Sequence, residues 1–220
     1  MMERIATFHS PFGSKFGVPR QSGVVPELRG EISLEGEYRI AETLRGLEGF
    51  DYIWLIWEFS ANSDRKWSPT VRPPRLGGNK AMGVFATRSP FRPNFLGLSS
   101  VKVESVDLER MVICVSGADL MDGTPIYDIK PYVTYTDSHP GARSGFVDEQ
   151  SWAGLEVVFP SELASCFSED EIVALKHTLS LDPRPHYKKN SDDKIYGFQF
   201  SGRDVRFKVS EGVLTVVGVV

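Results

Sequence analysis

The stretch Phe50-Asp51-Tyr52-Ile53-Trp54-Leu55-Ile56-Trp57-Glu58-Phe59 decides how the chain is read. It is dense in aromatic and β-branched residues and too short for a typical long helix. It predicts a central strand, buried on most of its length. Further along, Val101, Val103 and Ser105 alternate with Lys102, Glu104 and Val106. After a turn at 107–110, Met111, Ile113 and Val115 alternate again. A period of two predicts a hairpin with one buried face. Residues 82–87 are another short strand candidate, and 38–44 a short helix. Short strands separated by Gly/Pro loops favour a barrel or a sandwich.

The pattern changes after residues 137–152, where Asp, Gly, Pro and Ser mix and mark a boundary. Ser168-Glu169-Asp170-Glu171 has the form of a capping box. Ile172, Leu175 and Leu179 follow at helical spacing. Asp182-Pro183-Arg184-Pro185 ends that helix, because proline cannot continue it. Tyr196, Phe198 and Phe200 then alternate, followed by Val205, Phe207 and Val209, and by Leu214, Val216 and Val217. With Gly202 and Gly212 at the turns, this predicts a three-stranded meander. The expectation is a mainly β region over 1–150 and a small α+β unit over 151–220.

A length of 220 residues suggests one or two domains with a substantial core. Cys114 and Cys166 are too few for a disulfide framework, so a reducing, cytoplasmic setting is the default. No apolar run approaches the ~18–20 residues of a membrane helix. Met1-Met2-Glu3-Arg4-Ile5 has no long apolar segment behind it and does not look like a signal peptide.

A net charge of −4 argues weakly against a nucleic-acid partner, but the sum hides an asymmetry. Eight basic residues lie between Arg65 and Lys102: Arg65, Lys66, Arg72, Arg75, Lys80, Arg88, Arg92 and Lys102. No Asp or Glu interrupts them. The rest of the chain holds 17 basic and 29 acidic residues. Such a stretch is a candidate anion-binding surface, or a set of cations that meet carboxylates elsewhere in the fold.

The usual cofactor signatures are missing. There is no G-x-G-x-x-G after a strand, no phosphate-binding P-loop and no G-x-S-x-G elbow. His9, His139, His177 and His186 are scattered, and no spacing suggests a metal. Three other segments stand out. Residues 10–21 end in Pro19-Arg20-Gln21, a guanidinium and an amide beside rigid backbone. Residues 71–94 hold Arg72, Arg75, Arg88 and Arg92 in loops stiffened by proline. Rigid arginines lose less entropy on gripping an anion, and their planar forks suit phosphate and carboxylate. Phe85, Phe91 and Phe95 lie among them; rings beside arginines can hold unstacked bases, although core packing is the expectation for Phe85. The third segment runs from Asp119-Leu120-Met121-Asp122 through Gly123-Thr124-Pro125 to Asp128 and Lys130. Asp119 and Asp122 can accept hydrogen bonds from a ligand, while Asp128 and Lys130 can pair with each other.

Together these segments resemble the TrmO family of tRNA methyltransferases, also called TsaA-like or YaeB-type proteins. The motifs are HSPF at 9–12, Phe16 with PRQ at 19–21, RGLEGF at 45–50, VRPPRLGGN at 71–79 and GVFATRSPFRPN at 83–94. GLS at 97–99, DGTP at 122–125 and DIKPY at 128–132 complete the match over most of residues 5–143. DPRP at 182–185 and VRF at 205–207 are similar to the second domain of bacterial members. The resemblance implies a β-barrel unrelated to Rossmann methyltransferases and association as a homodimer. It implies transfer of a methyl group from S-adenosylmethionine to N6 of threonylcarbamoyladenosine at position 37, on threonine tRNAs in particular.

The resemblance also implies a site. Pro19, Arg20, Gln21, Arg88, Leu98, Asp119, Leu120, Met121 and Asp122 match cofactor positions. Ser60 and Ala61 follow the tryptophan-bearing strand where many members carry a histidine. A backbone contact would survive that change, and an imidazole role would not. Arg72, Arg75, Lys80 and Arg92 are the candidate tRNA contacts. One of Arg72, Arg75, Arg88 and Arg92 would hold the threonyl carboxylate. Asp119 or Asp122 would accept the proton or place the cofactor. The competing readings are a non-catalytic RNA-binding or regulatory module and a small-molecule methyltransferase.

Overall fold

The computed structural model describes residues 2–62, 66–149, 154–184 and 194–220. Arg65, Pro185 and the end of the boundary stretch at 150–152 lie outside the described residues. Six strands close an antiparallel barrel: β1 (Ala6–His9), β2 (Arg29–Leu34), β3 (Tyr52–Glu58), β6 (Leu96–Asp107), β7 (Val112–Ser116) and β8 (Thr124–Pro131). Their order around the barrel is β1-β2-β7-β6-β3-β8, and β8 returns to pair with β1. Between β3 and β6 the chain leaves the wall. Among the described residues, this excursion has as its strands a two-residue ribbon, β4 (Thr70–Val71) against β5 (Met82–Gly83). Its neck is tied by Phe59 N–H donating to the Phe95 carbonyl at 2.8 Å.

The opening stretch forms β3, with one correction. Ile53, Leu55 and Trp57 are buried, whereas Tyr52 is exposed and Trp54 and Ile56 are half-buried. A closed barrel turns only one face of each strand inward, so the strand alternates despite its apolar composition. The predicted hairpin forms as β6 and β7. A bulge at Glu104 shifts its register, so Val106 rather than Ser105 packs toward the core. Residues 82–87 are strand only at their start; Val84–Ala86 is a 3-10 turn. The 38–44 helix splits into a 3-10 turn at Gly36–Tyr38 and the short α1 (Ala41–Leu44). A second short helix, α2 (Thr134–Asp137), follows β8.

The C-terminal part contains β9 (Glu156–Val158), α3 (Ser161–Ala164), α4 (Glu169–Ser180), β10 (Tyr196–Phe200), β11 (Arg203–Ser210) and β12 (Val213–Val219). Ser168 caps α4, and Glu171 returns the bond to the Ser168 N–H, so the predicted box is present. The meander gains a fourth strand. Strand β9 joins β12 in parallel, giving the order β10-β11-β12-β9. Three residues are too few to show a period, which is why the sequence reading lacks β9. A bulge in β12 at Val217 also leaves that residue exposed, against the alternation read from sequence.

The two parts share a core. Phe12, Val25 and Leu28, from the loop between β1 and β2, pack with Leu175, Phe198, Phe200 and Phe207. Gly17 sits at φ +98°, and a Cβ there would meet the Phe198 ring at 2.5 Å. Only glycine permits both that backbone and that approach. The loop bearing Pro19-Arg20-Gln21 is therefore clamped between the barrel and the C-terminal sheet.

Candidate functional site

Four separate segments meet at the side chain of Asp119. The first is the start of β6. Ser99 is 1% exposed, and its Oγ lies 2.5 Å from Asp119 Oδ1. The second is β3, whose Trp57 Nε1–H donates to the same Ser99 Oγ at 2.9 Å. The third is the β1–β2 loop, whose Ser22 N–H reaches the Asp119 carboxylate. The fourth is the excursion, whose Arg88 lies within electrostatic range of Asp119 and bonds to Gln21 Oε1 through Nη1. Burial raises the Asp119 pKa above the usual carboxylate range; the Ser99 hydroxyl, backbone N–H groups and Arg88 pull the other way.

Asp122 has different company. Its Oδ1 lies 3.3 Å from His9 Nδ1 and accepts the Ser10 N–H at 3.1 Å. Its own N–H donates to the Phe12 carbonyl at 2.9 Å. Asp122 thus fastens the HSPF segment to the DGTP turn. Between the two aspartates, the Leu120 side chain is buried in the barrel core, so only its backbone faces outward chemistry. The Met121 carbonyl is occupied by Thr124, at 2.6 Å from its Oγ1.

Pro19 is buried, and Arg20 lies within electrostatic range of Asp182 and Arg75. Leu98 is 57% exposed beside Ser99, an apolar surface at the edge of the site. Ser60 and Ala61 begin a 3-10 turn that the β1–β2 loop reaches. Lys15 Nζ bonds to Asn62 Oδ1 at 3.2 Å and approaches the Ala61 carbonyl at 3.5 Å. Lys15, Ser22, Trp57 and Ser99 are contributors that the sequence reading missed. For Ser99 the signal was its place in the GLS motif; the other three have meaning only in three dimensions.

Among the described residues, no carboxylate lies within salt-bridge distance of Arg72, Arg75, Lys80, Arg88 or Arg92, whereas Lys102 pairs with Glu104 at 3.2 Å. The Asp128–Lys130 pair forms as anticipated, at 3.0 Å. Arg92 braces its own loop through the Thr87 carbonyl at 2.7 Å and the Val84 carbonyl at 3.3 Å. Phe85 overturns the core expectation. It is 76% exposed, with the Arg92 guanidinium 5.8 Å from its ring centre. The 3-10 turn directs Val84 inward and leaves Phe85 outside.

A cavity of about 460 Å³ lies elsewhere, between β2, β7 and α4. Its walls carry Glu27, Glu31, Glu104, Asp170 and Glu171, a charge that repels phosphate. No group of three metal-ligating side chains gathers among the described residues, and no helix there is long and apolar enough to cross a membrane.

This arrangement can be set beside known proteins. Residues 7–138 match the model of the tRNA-methyltransferase O N-terminal domain, and residues 153–220 match that of the TrmO C-terminal domain. The chain belongs to the TrmO family. It is 38% identical over 218 residues to the tRNA (adenine(37)-N6)-methyltransferase of Escherichia coli, covering 95% of this chain and 93% of that one. A Pseudomonas aeruginosa relative is 37% identical over 92% of this chain and 90% of its own, and its name carries the description S-adenosylmethionine-dependent methyltransferase. The crystal structure of TrmO from Pseudomonas aeruginosa superposes with a TM-score of 0.81 at 29% identity, covering 100% of this chain and 97% of that one. The closed barrel found here thus belongs to a fold shared with a TrmO crystal structure.

Proposed function

We propose that this chain is an S-adenosylmethionine-dependent methyltransferase acting on N6 of adenine 37 in tRNA, with threonylcarbamoyladenosine of threonine tRNAs as its substrate. One observation carries the reading: the PRQ loop, the GLS strand, the Asp119–Asp122 segment and the Arg88 loop converge on one carboxylate. That convergence supplies what the cofactor's chemistry asks for. A carboxylate suits ribose hydroxyls or an ammonium, a guanidinium suits a carboxylate, and an exposed leucine suits a flat base. Pro19, Arg20, Gln21, Ser60, Ala61, Arg88, Leu98, Asp119, Leu120, Met121 and Asp122 would hold it. S-adenosylmethionine, when bound, supplies an electrophilic methyl group on sulfur.

The residues of the chain do the rest. Holding the adenine nitrogen in line with that methyl accounts for much of the acceleration. The nitrogen carries a carbamoyl group, so its lone pair is delocalised and its proton must leave. Asp119 rather than Asp122 would accept that proton, because burial raises the Asp119 pKa while Asp122 fastens the HSPF segment. A raised pKa suits a proton acceptor near neutral pH. Arg88 would bind the threonyl carboxylate. Arg72, Arg75 and Lys80 would meet tRNA phosphates, and Arg92 would present Phe85 as a stacking surface. Residues 1–150 and 151–220 would act as two domains of one homodimeric, cytoplasmic enzyme.

Labelled cofactor incubated with tRNA, with and without threonylcarbamoylation, tests the whole reading. Transfer only to the modified tRNA is expected. Transfer to neither, with no cofactor binding, would leave an RNA-binding module; transfer to a small molecule would leave the third class.

A further inference from the structure

We propose that Ser99 and Trp57 are positioning residues that fix the Asp119 carboxylate, and through it the loop that follows Pro19-Arg20-Gln21. The inference rests on the cofactor site proposed above and deepens it. It starts from proton counting. Indole Nε1–H can only donate, so the 2.9 Å bond from Trp57 occupies a lone pair of Ser99 Oγ. The hydroxyl has one hydrogen, and its other close partner is Asp119 Oδ1 at 2.5 Å. The hydrogen must therefore point at the carboxylate. Trp57 thus sets the direction of the Ser99 hydroxyl, and Ser99 sets the rotamer of Asp119.

The relay is built rigidly. Both Trp57 and Ser99 are buried in paired strands, where Trp57 lies opposite Gly97 and Leu55 opposite Ser99. A Cβ on Gly97 would come within 2.3 Å of the Trp57 ring, so the indole fills the space that glycine leaves. Nothing but a donor aligned toward Asp119 is gained from a serine at this depth, since a buried hydroxyl stabilises little unless it is bonded. At the far end the carboxylate receives the Ser22 N–H and faces Arg88. Arg88 is the charged side chain facing it among the described residues, and Arg88 in turn holds Gln21. The relay therefore runs from the barrel wall to the β1–β2 loop in three hydrogen bonds, with an ionised Asp119 at its centre.

Two consequences are measurable. Ser99→Ala removes a hydrogen bond to a charged group, so the dissociation constant for S-adenosylmethionine should rise about tenfold or more. The acid limb of the kcat/KM profile should also move to higher pH, because the ionised carboxylate loses a donor. A double-mutant cycle separates this relay from plain packing. If Ser99 acts through Asp119, Ser99→Ala should change little once Asp119→Asn is present; a packing role gives additive losses. Thermal melts report folding, and Ser99→Cys, nearly the same size with a weaker donor, should fall between wild type and Ser99→Ala. Should Ser99→Ala fail to fold, the Ser99→Cys profile decides: an unmoved acid limb and unchanged affinity overturn the proposal. Wild-type binding and transfer are measured alongside, so loss of the functional reading is seen separately as a wild type that does not bind the cofactor.

Discussion

The excursion at 59–95 and the C-terminal sheet are both additions to one barrel, and they use the same residue types in opposite ways. In the sheet, aromatic rings are interior. Phe207 is fully buried, stacked on Tyr196 and edge-on to Phe198, with centroids at 5.7 and 6.2 Å. In the excursion, Phe85 stands in solvent under an arginine. Charge divides similarly. Arg184 is buried beside Asp182, with Nε 2.9 Å from Oδ1, whereas Arg72, Arg75 and Lys80 have no carboxylate at salt-bridge distance among the described residues. A ring or a guanidinium thus serves stability where strands surround it and serves binding where proline-stiffened loops hold it out.

The sharpest way to break this comparison is a pair of truncations. Phe207→Ala should destabilise the protein by about 3–5 kcal/mol, as large-to-small changes in a packed core do. Denaturant melts measure it. Phe85→Ala should leave the melt within about 0.5 kcal/mol of wild type, as exposed substitutions do. Its effect should fall on tRNA, with affinity lower by about 1–3 kcal/mol if a base stacks there. A Phe85 variant that melts early but binds normally would return Phe85 to the core and erase the contrast.

The cations of the excursion supply a smaller and graded effect. Each of Arg72→Ala, Arg75→Ala and Lys80→Ala should reduce the slope of log affinity against log salt by about one or slightly less, one phosphate contact each. Lys130→Ala is the control, because its charge is already paired with Asp128. A salt slope equal across all four variants would place the tRNA elsewhere.

How much of this was legible in the sequence follows the same division. Period-two alternation exposed the β6–β7 hairpin and the aromatic strands of the C-terminal sheet, because each buries one face. The capping box located α4 for the same kind of reason, a local pattern with a local cause. Bulges at Glu104 and at Val217 were not legible, since an extra residue is set by cross-strand pairing rather than by composition. Strand β9 is too short to carry a period and exists because β12 offers an edge. In the site, the four motifs were visible but their meeting point was not. Asp119 and Asp122 looked equivalent three residues apart, and the turn between them sends one to Ser99 and the other to His9. Phe85 misled because residue type alone does not say whether a 3-10 turn faces in or out.

The finest test lies where the cation-only stretch ends. Lys102 is its last member, and it meets Glu104 at the bulge, together with Arg29 at 2.9 Å and the Ser116 hydroxyl at 2.7 Å. These partners, the Ser116 hydroxyl foremost, hold the Glu104 pKa down to about 2 from its ordinary 4.5. A carboxylate whose folded pKa is depressed adds stability above its unfolded pKa and loses it as pH falls through the folded one. Glu104→Gln should therefore be less stable than wild type at pH 5–7, and the difference should shrink as pH falls from about 4.5 toward 2. The effect is small, because the cluster stands near solvent and salt screens it. Paired with Glu104, Lys102 should behave like Lys130, so Lys102→Ala leaves the salt slope of tRNA binding unchanged; a slope reduced as in Arg72→Ala would place Lys102 with the phosphate-binding cations of the excursion.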